Sequence, residues 1–204
     1  RVLSRFRFLF VAEHGHLFSD TIFAEMRGVS DDNGSSPFWE WLEEHFFSLD
    51  FPTADYLTGV GQKEFIAELM PKYPVYVNLL SKEAQAVIGE VHEKTRPALR
   101  LLQAEGFTKS GYVDIFDAGP SVEAKIANIR TVRNSRRMQV EVNDSISNET
   151  QTHFAINTKL SDFRGAMLNT EIDEENQKVG ISKAAAEALG VTEGDFIRFA
   201  PITC

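Results

Sequence analysis

Val87-Ile88-Gly89-Glu90-Val91-His92-Glu93-Lys94-Thr95-Arg96-Pro97-Ala98-Leu99-Arg100-Leu101-Leu102-Gln103-Ala104-Glu105-Gly106-Phe107 is the stretch on which the fold turns. Residues Ala86–His92 read as a short, partly apolar strand. Thr95-Arg96-Pro97 opens a helix over Ala98–Ala104, because proline is tolerated in a first helical turn. Gly106 then supplies the left-handed conformation that ends helices, and Gly106-Phe107 begins a new extended run. A similar order stands earlier in the chain. Thr21–Val29 reads as a strand and Ser30–Ser36 as a polar loop. Ser36-Pro37 reads as a capped helix start, Phe38–Phe47 as the helix and Ser48–Phe51 as the run that follows, ending in a turn at Pro52. Strand, loop, helix and strand, stated twice, predict an α/β (α+β) chain.

The flanks extend this pattern. Residues 1–14 place Leu3, Phe6 and Phe10 at helical spacing, and a helix is the reading there, although Phe6, Phe8 and Phe10 also alternate. Gln62–Met70 is an amphipathic helix stopped by Pro71. Ser81 caps a further helix through Ala86, and Tyr112–Phe116 reads as a strand. Beyond Pro120 the texture changes. Residues 121–142 and 153–160 are strand-like, Lys183–Leu189 is a helix closed by Gly190, and Phe196–Phe199 is a last strand. The expected domains are therefore residues 1–120, an α/β region, and residues 121–204, a small β-rich lobe with one short helix.

Composition bounds the function. The 204 residues carry 21 Lys+Arg against 30 Asp+Glu, a formal charge of −9. That charge gives no electrostatic footprint for nucleic acid. No apolar run approaches the ~18 residues a membrane span needs, and no signal peptide is visible. Cys204 is the single cysteine and cannot form an internal disulfide, which fits a cytoplasmic setting. His14-x-His16 lacks third and fourth ligands, so no metal site is expected. Trp39, Leu42 and Phe46 form a helical stripe that reads first as core. Residues 125–140 hold five cations and no acid, and read as a solvated strand face or an anion contact.

Ala98-x-x-Leu101-Leu102-x-x-Glu105-Gly106-Phe107 resembles the closing part of GNAT-type N-acyltransferases. Longer strings resemble the arginine N-succinyltransferase family. These are Ala24-Glu25-Met26-Arg27-Gly28, Ser36-Pro37-Phe38-Trp39, Gly61-Gln62-Lys63 and Phe65-Ile66-Ala67-Glu68-Leu69-Met70-Pro71-Lys72. Ile88-Gly89-Glu90-Val91-His92, Asp114-Ile115-Phe116-Asp117 and Gly119-Pro120 continue in the same order. The match covers roughly residues 1–120, and residues 121–204 fit the family's C-terminal lobe loosely.

The resemblance implies an acyl-CoA N-acyltransferase-like lobe followed by a small β-rich lobe. It also implies an activity: succinyl-CoA, as co-substrate and not a permanently bound cofactor, gives its succinyl group to the α-amine of L-arginine. The family would place His92 as proton donor. The chemistry needs such a group, because amine attack on a thioester leaves excess protons on nitrogen and a thiolate to protonate. Imidazole, with an ordinary pKa near ~6.5, can supply that proton near neutrality.

A guanidinium calls for carboxylates, and Glu25, Glu90, Asp114 and Asp117 lie in or beside the matched strings. The succinyl carboxylate and the CoA phosphates call for cations. Arg27 and Lys72 are the matched ones, Arg27 the better placed. Ser36, at a helix start, is a candidate anion contact and equally a cap. The family's phosphate loop precedes a helix resembling Leu3-Ser4-Arg5-Phe6, so the chain is expected to be the later part of a longer enzyme. The competing readings are a non-catalytic fragment or subunit, and a related acyltransferase acting on ornithine. The Phe-rich opening segment is expected to face missing strands or a second subunit, which leaves a homo- or hetero-oligomer open.

Overall fold

A computed structural model describes residues 2–46, 49–146 and 151–202. In chain order the elements are α1 (Val2–Glu13), β1 (Thr21–Glu25), α2 (Pro37–Phe46), α3 (Phe51–Gly59), α4 (Glu64–Leu69), α5 (Lys82–Val87) and α6 (Arg96–Glu105). There follow β2 (Thr108–Val113), β3 (Pro120–Lys125), α7 (Arg130–Arg133), β4 (Arg136–Val142), β5 (Thr152–Asn157) and β6 (Gly165–Asn169). The chain closes with β7 (Glu171–Asp173), β8 (Lys178–Ile181), α8 (Lys183–Leu189) and β9 (Phe196–Pro201). The fold is mixed α+β with two sheets. Two compact units form, one from residues 23–103 and 107–123, the other from residues 1–22, 104–106 and 124–204.

In the first unit a three-stranded sheet runs in the order β1-β3-β2, with β2 and β3 antiparallel. Its helical core is aromatic. Trp39 and Leu42 are buried from α2, as the stripe predicted, and Ala54 is buried from α3, with Phe51, Phe65 and Phe116 packed around them. The Trp39 indole N–H donates to the Leu49 carbonyl at 3.0 Å, so the large ring is buried without an orphaned donor. Phe46 lies outside this core and is partly exposed.

Sequence reading missed α3. Pro52 looked like a turn, but Asp50 accepts the Thr53 N–H at 2.8 Å and caps a helix with proline in its first turn. The predicted strand over Ala86–His92 is also corrected. The helix begun by the Ser81 cap, which accepts the Ala84 N–H, continues through Val87. Gly89 then turns with φ +73° and the chain runs on as a loop. The Tyr112–Phe116 strand is shifted to β2, and Asp114–Asp117 is a turn.

The second unit is built on a six-stranded sheet, β6-β5-β9-β4-β8-β7. Only the β4–β8 pair is parallel; the other pairs are antiparallel. One face carries Val140, Val179, Ile181, Ile197 and Phe199 against Leu189 of α8. Helix α8 spans the predicted residues, with Ser182 capping and Gly190 left-handed at φ +65°.

Residues 2–13 are helical as expected, and one face of this Phe-rich segment packs within its own unit. Leu9 is fully buried against Phe154, Ile156 and Ala200 of the same unit, and Phe6 meets Phe154 edge-on at 5.7 Å. Glu13 accepts from Arg137 at 3.1 Å and Arg198 at 2.9 Å. Glu105 is 5% exposed and accepts the Thr131 N–H at 2.9 Å and Arg130 at 3.2 Å. Arg130 and Arg133 lie on α7, so the basic stretch is not a continuous strand face. Cys204, Phe47 and Asn148–Thr150 lie outside the described residues.

His153, 3% exposed on β5, has polar partners that the sequence did not reveal. Its Nδ1 lies 3.1 Å from the Gln151 carbonyl and 3.0 Å from the Thr170 hydroxyl. Burial, helped by the nearby Arg136 charge, holds its pKa below the usual value, against the Gln151 bond. The unfolded chain therefore binds this proton more tightly than the folded one. Stability is complete above ~6.5 and falls as pH drops from there towards the lowered folded value. Thermal unfolding at pH 7.5 and 5.5 should show a lower Tm at 5.5, with a smaller difference in His153→Gln. An equal pH dependence in the variant contradicts this assignment.

Candidate functional site

The first unit brings four of the matched strings, on three chain segments, to one point. Asp117, 7% exposed, accepts the Gly28 N–H at 2.7 Å through Oδ2 and the Gly119 N–H at 2.8 Å through Oδ1. The Gly89 N–H donates to the Ala118 carbonyl at 2.8 Å, and the Met26 N–H to Pro120 at 3.1 Å. Residues 24–28, 88–92 and 114–120 are thus stitched together. The approach is close enough to demand glycine: a Cβ on Gly28 would lie 2.2 Å from the Asp117 carbonyl oxygen. Ala118 takes φ +54°, a strained value for a non-glycine residue. Burial pushes the Asp117 carboxyl up, opposed by its two N–H donors and by Arg27, while Asp114 adds to the rise.

His92 is fixed at this junction. Its N–H donates to the Arg27 carbonyl at 2.9 Å, and its carbonyl accepts the Thr95 N–H at 2.9 Å. Its ring Nδ1 accepts the Lys94 N–H at 3.1 Å. A backbone N–H can only donate, so Nδ1 of the neutral ring carries no proton. The proton sits on Nε2. The half-buried imidazole is therefore held in one tautomer, with Nε2–H as the end able to donate.

The other candidates are distributed around it. The exposed Arg27 side chain donates to the Ser30 hydroxyl at 2.7 Å. Glu25 and Glu90 are exposed, with no polar side-chain partner among the described residues. Asp114 Oδ1 accepts the N–H groups of Phe116 at 2.7 Å and Asp117 at 3.2 Å, and so anchors the turn.

Ser36 is fully buried and its hydroxyl meets no partner among the described residues, so the expected side-chain cap is not made. The neighbouring Ser35 hydroxyl donates to Glu40 instead. Lys72 is exposed. His14 lies against Phe10, and no group of three or more potential metal ligands occurs among the described residues. No helix there is long and apolar enough to cross a membrane.

Sequence reasoning missed a cleft lined in part by the three residues that precede His92 in the chain. Gly89, Glu90, Val91, Arg96, Leu99, Arg100, Gln103 and Lys109 line an open cleft of about 210 Å³. The signal was present as Arg96, Leu99, Arg100 and Gln103 at helical spacing, but nothing in the sequence tells that Lys109 and the Gly89 turn close the other side.

The two-sheet α+β fold is of the acyltransferase-like class. The family model described as arginine N-succinyltransferase beta subunit matches residues 1–131, and that of its C-terminal domain matches residues 136–201. The chain belongs to the arginine N-succinyltransferase beta subunit family. It is 46% identical over 211 residues to a Yersinia pestis protein named arginine N-succinyltransferase, covering 98% of this chain and 60% of that one. It is 54% identical over 164 residues to the Pseudomonas aeruginosa arginine N-succinyltransferase subunit beta, covering 80% and 48%. A solved structure, that of the arginine/ornithine succinyltransferase subunit AI from Pseudomonas aeruginosa, superposes with a TM-score of 0.84 at 34% identity. The superposition covers 100% of this chain and 57% of that one. The chain thus spans about 60% of the length of the Yersinia relative.

Proposed function

We propose that the protein carrying this chain transfers the succinyl group of succinyl-CoA to the α-amine of L-arginine, with His92 as proton donor. The observation that supports this most is the His92 tautomer: Nδ1 is engaged by the Lys94 N–H, which leaves Nε2–H to give a proton. The neutral amine attacks the thioester carbonyl and forms the new C–N bond. Collapse of the tetrahedral intermediate breaks the C–S bond, and the CoA sulfur takes the Nε2 proton. The surplus proton of the attacking amine replaces it on Nε2 in the same step, so the neutral ring never stands as an imidazolate and ends as it began.

Glu25 is an exposed carboxylate free to meet a guanidinium, Glu90 is exposed two residues before His92 in the chain, and Arg27 is a cation whose backbone carbonyl accepts the His92 N–H. Asp114 shapes the loop between β2 and β3, and Ser36 keeps a buried hydroxyl at the start of α2. The family description and the relatives' names support the reaction class. The word subunit in those names supports an assembly of more than one chain. We place the chemistry in the cytoplasm, where CoA thioesters and free amino acids meet.

Mixing the protein with succinyl-CoA and L-arginine should release CoA, read with a thiol reagent, only when both substrates are present. Release that does not depend on an amine, or none at all, overturns the reading and favours a non-catalytic chain. The arginine/ornithine name borne by the Pseudomonas structure supports ornithine as a second acceptor. Ornithine should then compete with arginine for the same CoA release; additive rates would argue for separate sites.

A further inference from the structure

We propose that the cleft formed by Arg96, Leu99, Arg100 and Lys109 is the subsite for the acyl group, and that it selects a short chain ending in a carboxylate. The first observation is charge. The unit formed by residues 23–103 and 107–123 carries 16 acids against 8 bases, yet three of those bases line this one cleft. A concentration of cations in a strongly acidic unit is a local anion site.

The second observation is availability. Neither the Arg96 nor the Arg100 guanidinium makes a hydrogen bond or ion pair among the described residues. Arg–carboxylate forks are the strongest use of such groups. Lys109 Nζ donates to the Gly89 carbonyl at 2.8 Å, which fixes it at the cleft and leaves two donors.

Size and lining narrow the ligand. About 210 Å³ is below the ~300–1,000 Å³ of a pocket for a whole drug-sized molecule, so it suits one small group. Leu99 and the buried Val91 supply apolar wall for a few methylenes, and the arginines and lysine supply cations for one carboxylate. Glu90 stands in the same lining and would repel a second negative charge. The ligand of best fit is therefore a monoanion: a carboxylate, two or three methylenes and a neutral carbonyl end. A succinyl thioester has this form. Three of the lining residues, Gly89–Val91, directly precede His92 in the chain.

This inference rests on the succinyl-transfer reading but can fail separately from it. The test is calorimetric titration of the protein with succinamate, a succinyl group with a neutral amide end. Butyramide serves as the stem without the carboxylate, and inorganic phosphate as an anion without the stem. Succinamate should bind at least tenfold more tightly than either control, and Arg100→Gln should weaken it at least tenfold with Tm unchanged. Both guanidiniums are exposed, so Arg96→Gln serves as a second variant that leaves the core intact.

Equal binding of phosphate, absence of succinamate binding, or full binding in both variants overturns the subsite. None of those results bears on whether CoA is released with arginine. Conversely, loss of CoA release with succinamate binding and its variant sensitivity intact leaves the subsite standing and removes the reaction assigned to it.

Discussion

Replacing His92 with alanine is expected to lower kcat for CoA release by about 10²–10⁴, the usual contribution of a positioned general acid or base. KM for both substrates should change little, because the imidazole acts on the leaving sulfur and not on ground-state binding. The fold should survive. His92 is held to Arg27 and Thr95 by its backbone, which alanine retains, and only the Nδ1 contact to Lys94 is lost. His92→Gln is a sharper variant. Its amide can accept the Lys94 N–H, yet it cannot supply a proton on the imidazole scale, so its kcat should match that of the alanine variant. A glutamine variant with near wild-type kcat would assign His92 a positioning role. An alanine variant with an unaltered kcat would remove it from the reaction.

Gly119→Ala should be among the most damaging small substitutions in the chain. Its Cβ would stand 2.0 Å from the Met26 carbonyl oxygen and 2.5 Å from the Gly28 nitrogen, backbone atoms that cannot rotate away. Relief requires parting residues 26–28 from 117–120, the two segments that Asp117 holds together. Overpacking of this kind costs about 3 kcal/mol or more, and for a chain of this size Tm should drop by about 10 °C. Asp117→Ala attacks the same junction differently. It leaves two buried N–H groups unpaired, at about 1–3 kcal/mol each. Gly59→Ala is the control: nothing lies within 4 Å of its added Cβ and it ends α3, so Tm should hold. Equal Tm values for Gly119→Ala and Gly59→Ala would contradict the close approach.

Much of this fold was legible where local chemistry is strong. Ser182 and Gly190 bracket α8, and Gly106 ends α6 with φ +105°, because caps and left-handed glycines are local events. Trp39 and Leu42 read as core and are core. Errors came where one local signal had two uses. Pro52 serves a turn or a first helical turn, and the Asp50 cap decided for the helix. Val87, Ile88 and Val91 are apolar enough for a strand, but α5 runs through Val87 and Gly89 breaks extension. The short strands β6, β7 and β8 were passed over because each is defined by pairing with distant residues and not by its own pattern.

The site divides in the same way. Individual residues were readable as strings, and His92, Arg27 and Asp117 were named from them. That Asp117 ties two glycines while Arg27 holds the His92 backbone is a long-range fact, separated by 89 residues in one bond. The carboxylate of Asp114 was read as a partner for guanidinium, and its Oδ1 proved to be a turn acceptor. Arg96 and Lys109 lay outside the matched strings and Arg100 at an unspecified position within one, and only folding brings the three cations to one cleft.

The most direct test of the central claim is product analysis. The protein is incubated with succinyl-CoA and L-arginine, and the mixture is resolved by mass spectrometry with fragmentation to locate the acyl group. Nα-succinyl-arginine formed in step with CoA, and lost in His92→Ala, is the predicted result. Succinylation at the guanidinium, an unchanged yield in the variant, or CoA release with no acylated amine would contradict it.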